Sequence, residues 1–374
     1  MNGARDIAGI TIPYAVGVLL TVYAGTSLCR NSVLIHILTL SGIVFITTLL
    51  LYRDHWKPDH IATESLTIPV MGICGVLSGL TGLSSELALP VSPVESYATG
   101  LGERIQHSID AIPFRYAHTG ALIKALLTGE RSSLPKELTE AFRDSGASHI
   151  LALSGLHLGI IYGILSGILS LAGNSKRAQK WRSVIMILIC GMYTMATGAG
   201  ASIVRAFIFI LLGEAGRLTG RHNSLSHTLM AALMIQLTFS PLSARNVGFQ
   251  LSYAAMAGIA FIYPWIKGLW PEEDAGTSMG ALFGKVTRKI WNSLALSIAC
   301  QITTGPLAFL YFDTFPRYFL LTNLLSLPLT GILIPSALLT LCLSIMGHCP
   351  QMLINITEML ARTLTWSLEV IASM

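Results

Sequence analysis

Uncharged, mostly apolar stretches recur from one end of the chain to the other. Each is close to the roughly 20 residues that an α-helix needs to cross the hydrocarbon core of a bilayer. The pattern predicts an all-α fold: a polytopic bundle of about ten transmembrane helices, some of them broken or re-entrant, with amphipathic surface helices. The predicted spans lie near residues 7–28, 32–52, 66–83, 149–172, 183–199, 201–216, 225–241, 247–266, 290–312 and 318–345, with a weaker segment at 351–373.

The spans divide the chain into three predicted parts. Residues 1–83 form an N-terminal group of three helices, residues 84–148 an external linker, and residues 149–374 the main membrane core. Within the linker, Ser133 and Gly146 bracket an amphipathic helix, and the apolar residues between 122 and 127 predict a second helix. We expect both linker helices to lie at the membrane surface.

Three segments depart from the pattern of a straight span. Residues 149–167 mix glycines with polar groups, residues 198–202 are Gly-Ala-Gly-Ala-Ser, and Pro328 and Pro335 interrupt the last predicted span. Irregular backbone at membrane depth is tolerated where it is buried in protein or lines a water-filled cavity. We therefore expect three broken helices that meet around a conduit.

Composition agrees with a membrane protein, because 52% of the residues are hydrophobic and only 11% are charged, against about a quarter charged in soluble domains. The net charge of +5 says little about nucleic acid, since Lys and Arg accumulate in cytoplasmic loops. The six cysteines lie singly, without a Cys-x-x-Cys pair or a histidine at metal-ligand spacing, and predict neither a metal nor a cofactor. The apolar stretch after Arg5 has no convincing cleavage site, so we expect a retained first helix.

Basic loops predict the orientation of the chain. Residues 176–182 contain four cations and no acid and lie beside two predicted spans, which places this loop in the cytoplasm. Counting outward puts three further groups of cations on the same side: Arg53 and Lys57, Arg217 and Arg221, and Lys267 with Lys285, Arg288 and Lys289. The N-terminus is then predicted to be cytoplasmic and residues 84–148 external. The count weakens after residue 317, because of the prolines in the following span.

Residues 144–159 carry two histidines and several hydroxyls directly into an apolar segment. Removing such groups from water costs several kcal/mol each unless they find partners, so they should face protein or water rather than lipid. Four glycines follow at a strict spacing of four, which predicts a groove for close helix packing. They are Gly155, Gly159, Gly163 and Gly167.

The nine residues His149–His157, HILALSGLH, resemble the signature of the ComEC family, the inner-membrane channel of natural transformation in bacteria. Later segments resemble further elements of that family, in the family's order, and the resemblance covers residues 99–345. These segments are Ser202-x-x-Arg205-Ala, Gly248-Phe-Gln250-Leu-Ser252, Gln301 with Pro306, and Asn323 with Pro328.

The resemblance implies an inner-membrane channel that passes single-stranded DNA into the cytoplasm, with residues 149–374 as its competence-type core. It also implies a cytoplasmic helicase-like ATPase and an external DNA receptor as partners, and the chain has no phosphate-loop motif of its own. Full-length family members also carry an external OB-fold domain and a metallo-β-lactamase-like domain. Residues 84–97 are too short for the five strands of an OB-fold, and no His-x-His-x-Asp-His motif occurs. We therefore expect a short form, for which separate nuclease and OB-fold proteins are candidate partners.

A path for DNA needs polar groups and cations that contact phosphates. Arg205 is the leading candidate, because a cation within a span is rare and a planar guanidinium binds phosphate through two bonds. The alternative is a structural role, through a salt bridge to Glu214 or bonds to backbone carbonyls. His149, Ser154 and His157 either line the external mouth of the path or hold a helix break together. Further candidates, which could instead bond helix to helix, are Ser202, Gln250, Ser252, Gln301 and Asn323.

Two other functions stay open. A buried Arg205 beside broken helices also suits a secondary transporter or permease for a small anion, although no internal repeat is evident. Ser154 between two histidines would suit an intramembrane hydrolase or acyltransferase. No acid is placed to orient a histidine, however, and no Gly-x-Ser-x-Gly motif is present. We therefore expect no catalytic residue.

Overall fold

The computed structural model describes residues 2–24, 60–84, 93–171, 173, 175–220, 224–270, 278–313 and 317–374. Within these ranges the regular elements are helical and no β-strand occurs, so the all-α prediction is confirmed there. The predicted span at 32–52 lies outside the described residues. The α-helices are α1 (Asn2–Ala24), α2 (His60–Ser84), α3 (Pro93–Asp110), α4 (Ala117–Thr128), α5 (Lys136–Asp144), α6 (Ser148–Leu151), α7 (Gly155–Ser170), α8 (Lys176–Ala196), α9 (Ala201–Thr219), α10 (Leu225–Phe239), α11 (Val247–Ala257), α12 (Tyr263–Lys267), α13 (Ser278–Phe312), α14 (Phe319–Ile345) and α15 (Gln351–Ala372).

Length and composition allow three of the described helices to cross a membrane: Val247–Lys267, Val286–Phe312 and Phe319–Ile345. The first of these is continuous because the π-helical turn Gly258–Ile262 joins α11 to α12. The described residues do not reproduce the predicted count of about ten spans, because several apolar helices are too short. The shorter apolar stretches are Ile7–Tyr23, Pro69–Gly82, Gly155–Ser170 and Leu225–Phe239. The chain is thus a helical membrane protein.

The chain groups into two compact units, one of residues 1–91 with 215–253 and one of residues 92–214 with 254–374. The predicted division at residues 83 and 148 concerns sidedness in the membrane. Packing within a chain does not report sidedness, so that division stays a prediction.

The first unit is organised by a close crossing of α1 and α2. A Cβ on Gly17 would lie 2.2 Å from the carbonyl oxygen of Gly72, and a Cβ on Gly75 would lie 2.0 Å from that of Tyr14. Only glycine permits backbones to approach so closely, as in other membrane helix pairs. Helix α10 packs on α1, where the hydroxyls of Tyr14 and Thr238 are 2.8 Å apart.

The second unit is built on the hairpin of α14 and α15. Leu333 and Leu364 of this hairpin pack in one buried cluster with α4, α5 and α6. Helix α4 is buried on nearly every side, because neighbouring helices cover its apolar residues. The prediction of a surface helix is therefore wrong there. Helix α5 buries only Leu138, Ala141 and Phe142 and is amphipathic, as expected.

The break expected within residues 149–167 is confirmed. Helix α6 ends at Leu151 and α7 begins at Gly155, and the backbone of Ala152 and Ser154 is extended. Residues 198–202 form a tight turn that ends α8 and starts α9. Gly198 and Ala199 take positive φ angles of 81° and 47° in this turn.

The break expected in the last predicted span is wrong. Helix α14 runs without interruption from Phe319 to Ile345 and contains both Pro328 and Pro335. Each proline removes one backbone donor, but neighbouring helices can compensate such a loss in membrane proteins. Helix α15 packs along α14 here.

Candidate functional site

The start of α7 is a capping box formed by the HILALSGLH segment. The Oγ of Ser154 accepts a hydrogen bond from the Leu156 N–H at 3.2 Å, and the Ser154 N–H donates to Nδ1 of His157 at 3.3 Å. These bonds satisfy backbone donors that a helix start leaves open. Ser154 Oγ and His157 Nδ1 are also 3.1 Å apart. The two side chains therefore hold the helix break, as one of the predicted alternatives states.

The two ring nitrogens of His157 have different surroundings. Because Nδ1 accepts the Ser154 N–H, the neutral ring carries its proton on Nε2. The side chain is 1% exposed, and Nε2 has no hydrogen-bond partner among the described residues. A buried donor without an acceptor costs about 1–3 kcal/mol. This nitrogen therefore favours an acceptor oxygen supplied by a ligand or by water.

Arg205 lies on the second turn of α9, next to the start of α7, and is 7% exposed. Its Nη2 atom is 3.1 Å from the position that a Cβ on Gly155 would occupy, so the guanidinium rests on the first turn of α7. The ring of Phe209 lies 5.9 Å from its Cζ. A helix N-terminus carries partial positive charge. Arg205 and the start of α7 are therefore both groups that attract an anion.

Helix geometry does not favour the salt bridge between Glu214 and Arg205 that the sequence leaves open. Nine residues of α9 separate the two, about 13.5 Å of helix rise, which puts their side chains on opposite faces. Glu214 is 1% exposed and accepts hydrogen bonds from the Tyr162 hydroxyl at 2.5 Å and the Ser183 hydroxyl at 2.6 Å. These bonds join α7, α8 and α9 within the second unit.

Two more predicted residues, His149 and Ser202, are close in sequence to the start of α7 and of α9, respectively. His149 is exposed on α6, and its Nδ1 is 3.1 Å from the Gly146 carbonyl oxygen. Ser202 is half-buried on the first turn of α9, three residues before Arg205. The structure thus brings Ser154 and His157 together and places Arg205 against Gly155, the first residue of α7, with Ser202 on the preceding turn of α9.

Gln301 and Asn323 lie on α13 and α14. Gln301 is half-buried and lines a largely apolar cavity of about 460 Å³ with Ile298, Ile302, Gly305, Pro306, Phe309 and Phe319. That lining does not favour a phosphate path at Gln301. Asn323 is half-buried, and its Oδ1 is a buried atom without a hydrogen-bond partner among the described residues.

Gln250 and Ser252 belong to the first unit. The Gln250 amide donates to the Tyr23 hydroxyl at 2.7 Å and to the Ala244 carbonyl at 2.8 Å. These bonds tie α11 to α1 and to the 3-10 helix Pro241–Arg245, as expected of the helix-bonding alternative. Ser252 is half-buried on α11.

The four spaced glycines differ in their surroundings. Gly155 contacts Arg205 and Ala206, whereas Gly159, Gly163 and Gly167 are exposed and have no neighbour within 4 Å of a built Cβ in the described chain. A packing role for these three stays a prediction.

Two sets of buried polar residues have no counterpart among the predicted site residues. The hydroxyls of Tyr162 and Ser183 donate hydrogen bonds to Glu214. The sequence feature that could have indicated them is an acidic residue within an apolar stretch. Ser326 and Thr330 are fully buried hydroxyls on α14. Their spacing of four residues is the signal there, because it puts both on one helix face.

Comparison with known proteins places this site inside a family match. Residues 126–374 match the family described as Competence protein. The chain is 24% identical over 214 residues to ComE operon protein 3 of Bacillus subtilis (strain 168), covering 57% of this chain and 24% of that protein. It is 26% identical over 225 residues to Competence protein ComA of Neisseria gonorrhoeae, covering 58% of this chain and 30% of that protein.

A third relative is the uncharacterized protein YcaI of Escherichia coli (strain K12), 26% identical over 233 residues that cover 61% of this chain and 29% of that protein. The chain thus spans between 24% and 30% of the length of these relatives. No solved structure matches it significantly. The family match extends over about two thirds of this chain and contains the HILALSGLH segment. This chain therefore belongs to the Competence protein family.

Proposed function

We propose that this chain provides a passage for single-stranded DNA across the cytoplasmic membrane and contacts its phosphates where α7 and α9 begin. The position of Arg205 carries the proposal. A buried guanidinium that rests on a helix N-terminus sets two positive groups side by side. Both groups attract anions, and phosphate is a common ligand of each.

The adjacent His157 supports a phosphate ligand. Its Nε2–H is a buried donor without an acceptor in the described chain, and phosphate oxygens accept hydrogen bonds from neutral N–H groups. Arg205, the α7 backbone and His157 therefore offer three kinds of donor within one short region. All three lie in the segment that matches the Competence family.

Single-stranded DNA is the proposed anion because of the family. One relative is named as a competence protein, and the ComEC resemblance implies uptake of a single strand. A cytoplasmic helicase-like ATPase would drive import and an external receptor would deliver DNA, with separate nuclease and OB-fold proteins as further partners. In this proposal the N-terminus is cytoplasmic, and the chain itself catalyses no reaction.

The test is import of DNA in a naturally transformable host that lacks this gene and is complemented with variants. DNA captured at the surface and DNA that has reached the cytoplasm are scored separately. We expect Arg205→Ala to leave capture and membrane insertion normal and to reduce import by about ten-fold or more, since a charge-assisted bond contributes about 1.5–3 kcal/mol. Arg205→Lys should restore import in part, because it keeps the charge but loses the planar fork.

The matched control is Arg177→Ala, which removes an exposed cation from the start of α8. It should import DNA normally. Normal import by a well-inserted Arg205→Ala protein would overturn the proposal. Loss of small-anion transport in vesicles, with DNA import intact, would instead support the permease alternative.

A further inference from the structure

Three polar atoms on α14 are buried and have no hydrogen-bond partner among the described residues. They are Oδ1 of Asn323, Oγ of Ser326 and Oγ1 of Thr330, which we call the α14 seam. Ser326 and Thr330 are 0% exposed. An unsatisfied buried polar group costs about 1–3 kcal/mol, so three on one helix need a common explanation.

Other hydroxyls of the same hairpin are satisfied. Thr340 donates to the Ser336 carbonyl at 2.8 Å and lies 2.9 Å from the Thr357 hydroxyl. Thr322, one turn before Ser326, donates to the Ser145 carbonyl at 2.7 Å. Because helix hydroxyls commonly bond to the carbonyl four residues back, Ser326 and Thr330 are exceptions on a helix where the ordinary solution is available.

The seam faces the segment that leads into the HILALSGLH motif. At about 100° per residue, positions 322, 326, 330 and 333 of α14 fall on one face. Thr322 bonds to Ser145 on that face, and Leu333 belongs to the buried cluster that contains Ala147 and Leu151. Ser326 and Thr330 therefore lie on the same face of α14 as Thr322, which bonds to Ser145 just before the HILALSGLH motif.

The spacing of the seam decides what it can hold. Asn323 and Thr330 are seven residues apart, about 10.5 Å along the helix, whereas two oxygen ligands of one metal cation are separated by at most about 5 Å. One cation cannot be held by all three groups. A water molecule with two hydrogen bonds of about 2.8 Å spans about 5.6 Å, which matches one helical turn of about 5.4 Å.

We propose that the α14 seam holds a short file of ordered water molecules, one bridging Asn323 to Ser326 and one bridging Ser326 to Thr330. The seam is then the hydrated inner part of the passage, next to the motif segment. It adds Ser326 and Thr330 to the residues of that passage. This assignment rests on the proposed function, but the presence of water in the seam does not.

Thiol labelling without DNA tests the seam directly. In a variant lacking the six native cysteines, Ser326→Cys and Thr330→Cys are treated with a small hydrophilic thiol reagent in membrane vesicles. The matched controls are Thr340→Cys, equally buried but in a satisfied hydroxyl cluster, and Leu325→Cys, on the exposed apolar face of the same helix.

The thiolate is the reactive form of a cysteine, and each unit by which desolvation raises the thiol pKa lowers the amount of thiolate about ten-fold. We expect the seam thiols to react about ten-fold or more faster than both controls. Equal rates would overturn the proposal.

A second measurement compares melting temperatures in the protein that keeps its native cysteines. Thr330→Val removes the hydroxyl at nearly constant volume. In a dry seam this removes an unsatisfied group and raises the melting temperature, whereas in a hydrated seam it breaks a water bridge and leaves the melting temperature equal or lower. A rise for Thr330→Val, with a fall for the control Thr340→Val, would overturn the water file.

The two proposals fail separately. Unlabelled seam thiols with defective import by Arg205→Ala would reject the seam and leave the proposed function standing. Labelled seam thiols with normal import by Arg205→Ala would keep the water file and reject its assignment to a DNA passage.

Discussion

The guanidinium of Arg205 rests on Gly155, with Nη2 3.1 Å from the position of a Cβ on residue 155. The Cβ of Ala206 is 3.3 Å from the same position. Glycine at the first residue of α7 thus sets how close α9 and its cation come to the helix N-terminus.

Gly155→Ala should push Arg205 away from α7 by a few tenths of an ångström. The added methyl meets a side chain that can shift, so we expect folded, inserted protein with several-fold lower DNA import. Import per inserted molecule is the quantity to measure. Import at the wild-type level would show that the close approach of Arg205 to α7 is not needed.

Gly159→Ala is the matched change one turn later, where a Cβ meets nothing within 4 Å in the described chain. We expect a gain of about 0.5–1 kcal/mol in the free energy of unfolding, because alanine favours a helix over glycine. Thermal unfolding in detergent measures it. A loss of stability would instead indicate that another helix packs on this glycine face, as the spacing of the glycines predicts.

Ser154→Ala should cost about 1 kcal/mol of stability through loss of the helix cap and should reduce import only in proportion to folded protein. Ser154→Thr keeps a capping hydroxyl and should behave like the wild type. Both variants are compared by unfolding temperature and by import per inserted molecule. If Ser154 were a nucleophile, both substitutions would abolish activity, although only Ser154→Ala would lower the stability.

Glu214, Tyr162 and Ser183 should behave as one unit in stability measurements. Tyr162→Phe or Ser183→Ala each removes a short bond to a buried carboxylate, at a cost of about 1.5–3 kcal/mol. In a Glu214→Gln background the same changes should cost less, since the carboxylate that strengthened the bonds is gone. Unfolding in detergent with double-mutant cycles measures this. Additive losses would show that the three residues act independently.

Gln250→Leu distinguishes helix bonding from a role in the passage. The Gln250 amide binds Tyr23 and Ala244, so its loss should lower the free energy of unfolding by about 1–2 kcal/mol. Tyr23→Phe removes one of the same bonds and should have a smaller effect in the same direction. Import per inserted molecule should not change for either. A drop in import at unchanged stability would place Gln250 in the passage.

Much of the local architecture could be predicted from the sequence. Apolar stretches located the described membrane helices, and the polar residues of HILALSGLH located the break before α7. Both depend on residues within one or two helical turns, which a linear pattern records. Apolarity alone could not tell a surface helix from a buried one, so α4 was misplaced. Prolines likewise could not reveal whether neighbouring helices would keep α14 continuous.

Sequence by itself therefore determined that this is a helical membrane protein of the Competence family, and which residue types would be costly to bury. Only the tertiary structure decided that Arg205 contacts Gly155 and that Glu214 bonds to Tyr162 and Ser183. It also decided that Ser326 and Thr330 are buried without a hydrogen-bond partner in the part of the chain that the structure describes. The physical reason is distance along the chain. Hydrophobicity and capping are local, whereas these contacts join helices whose approach is decided by packing of the whole unit.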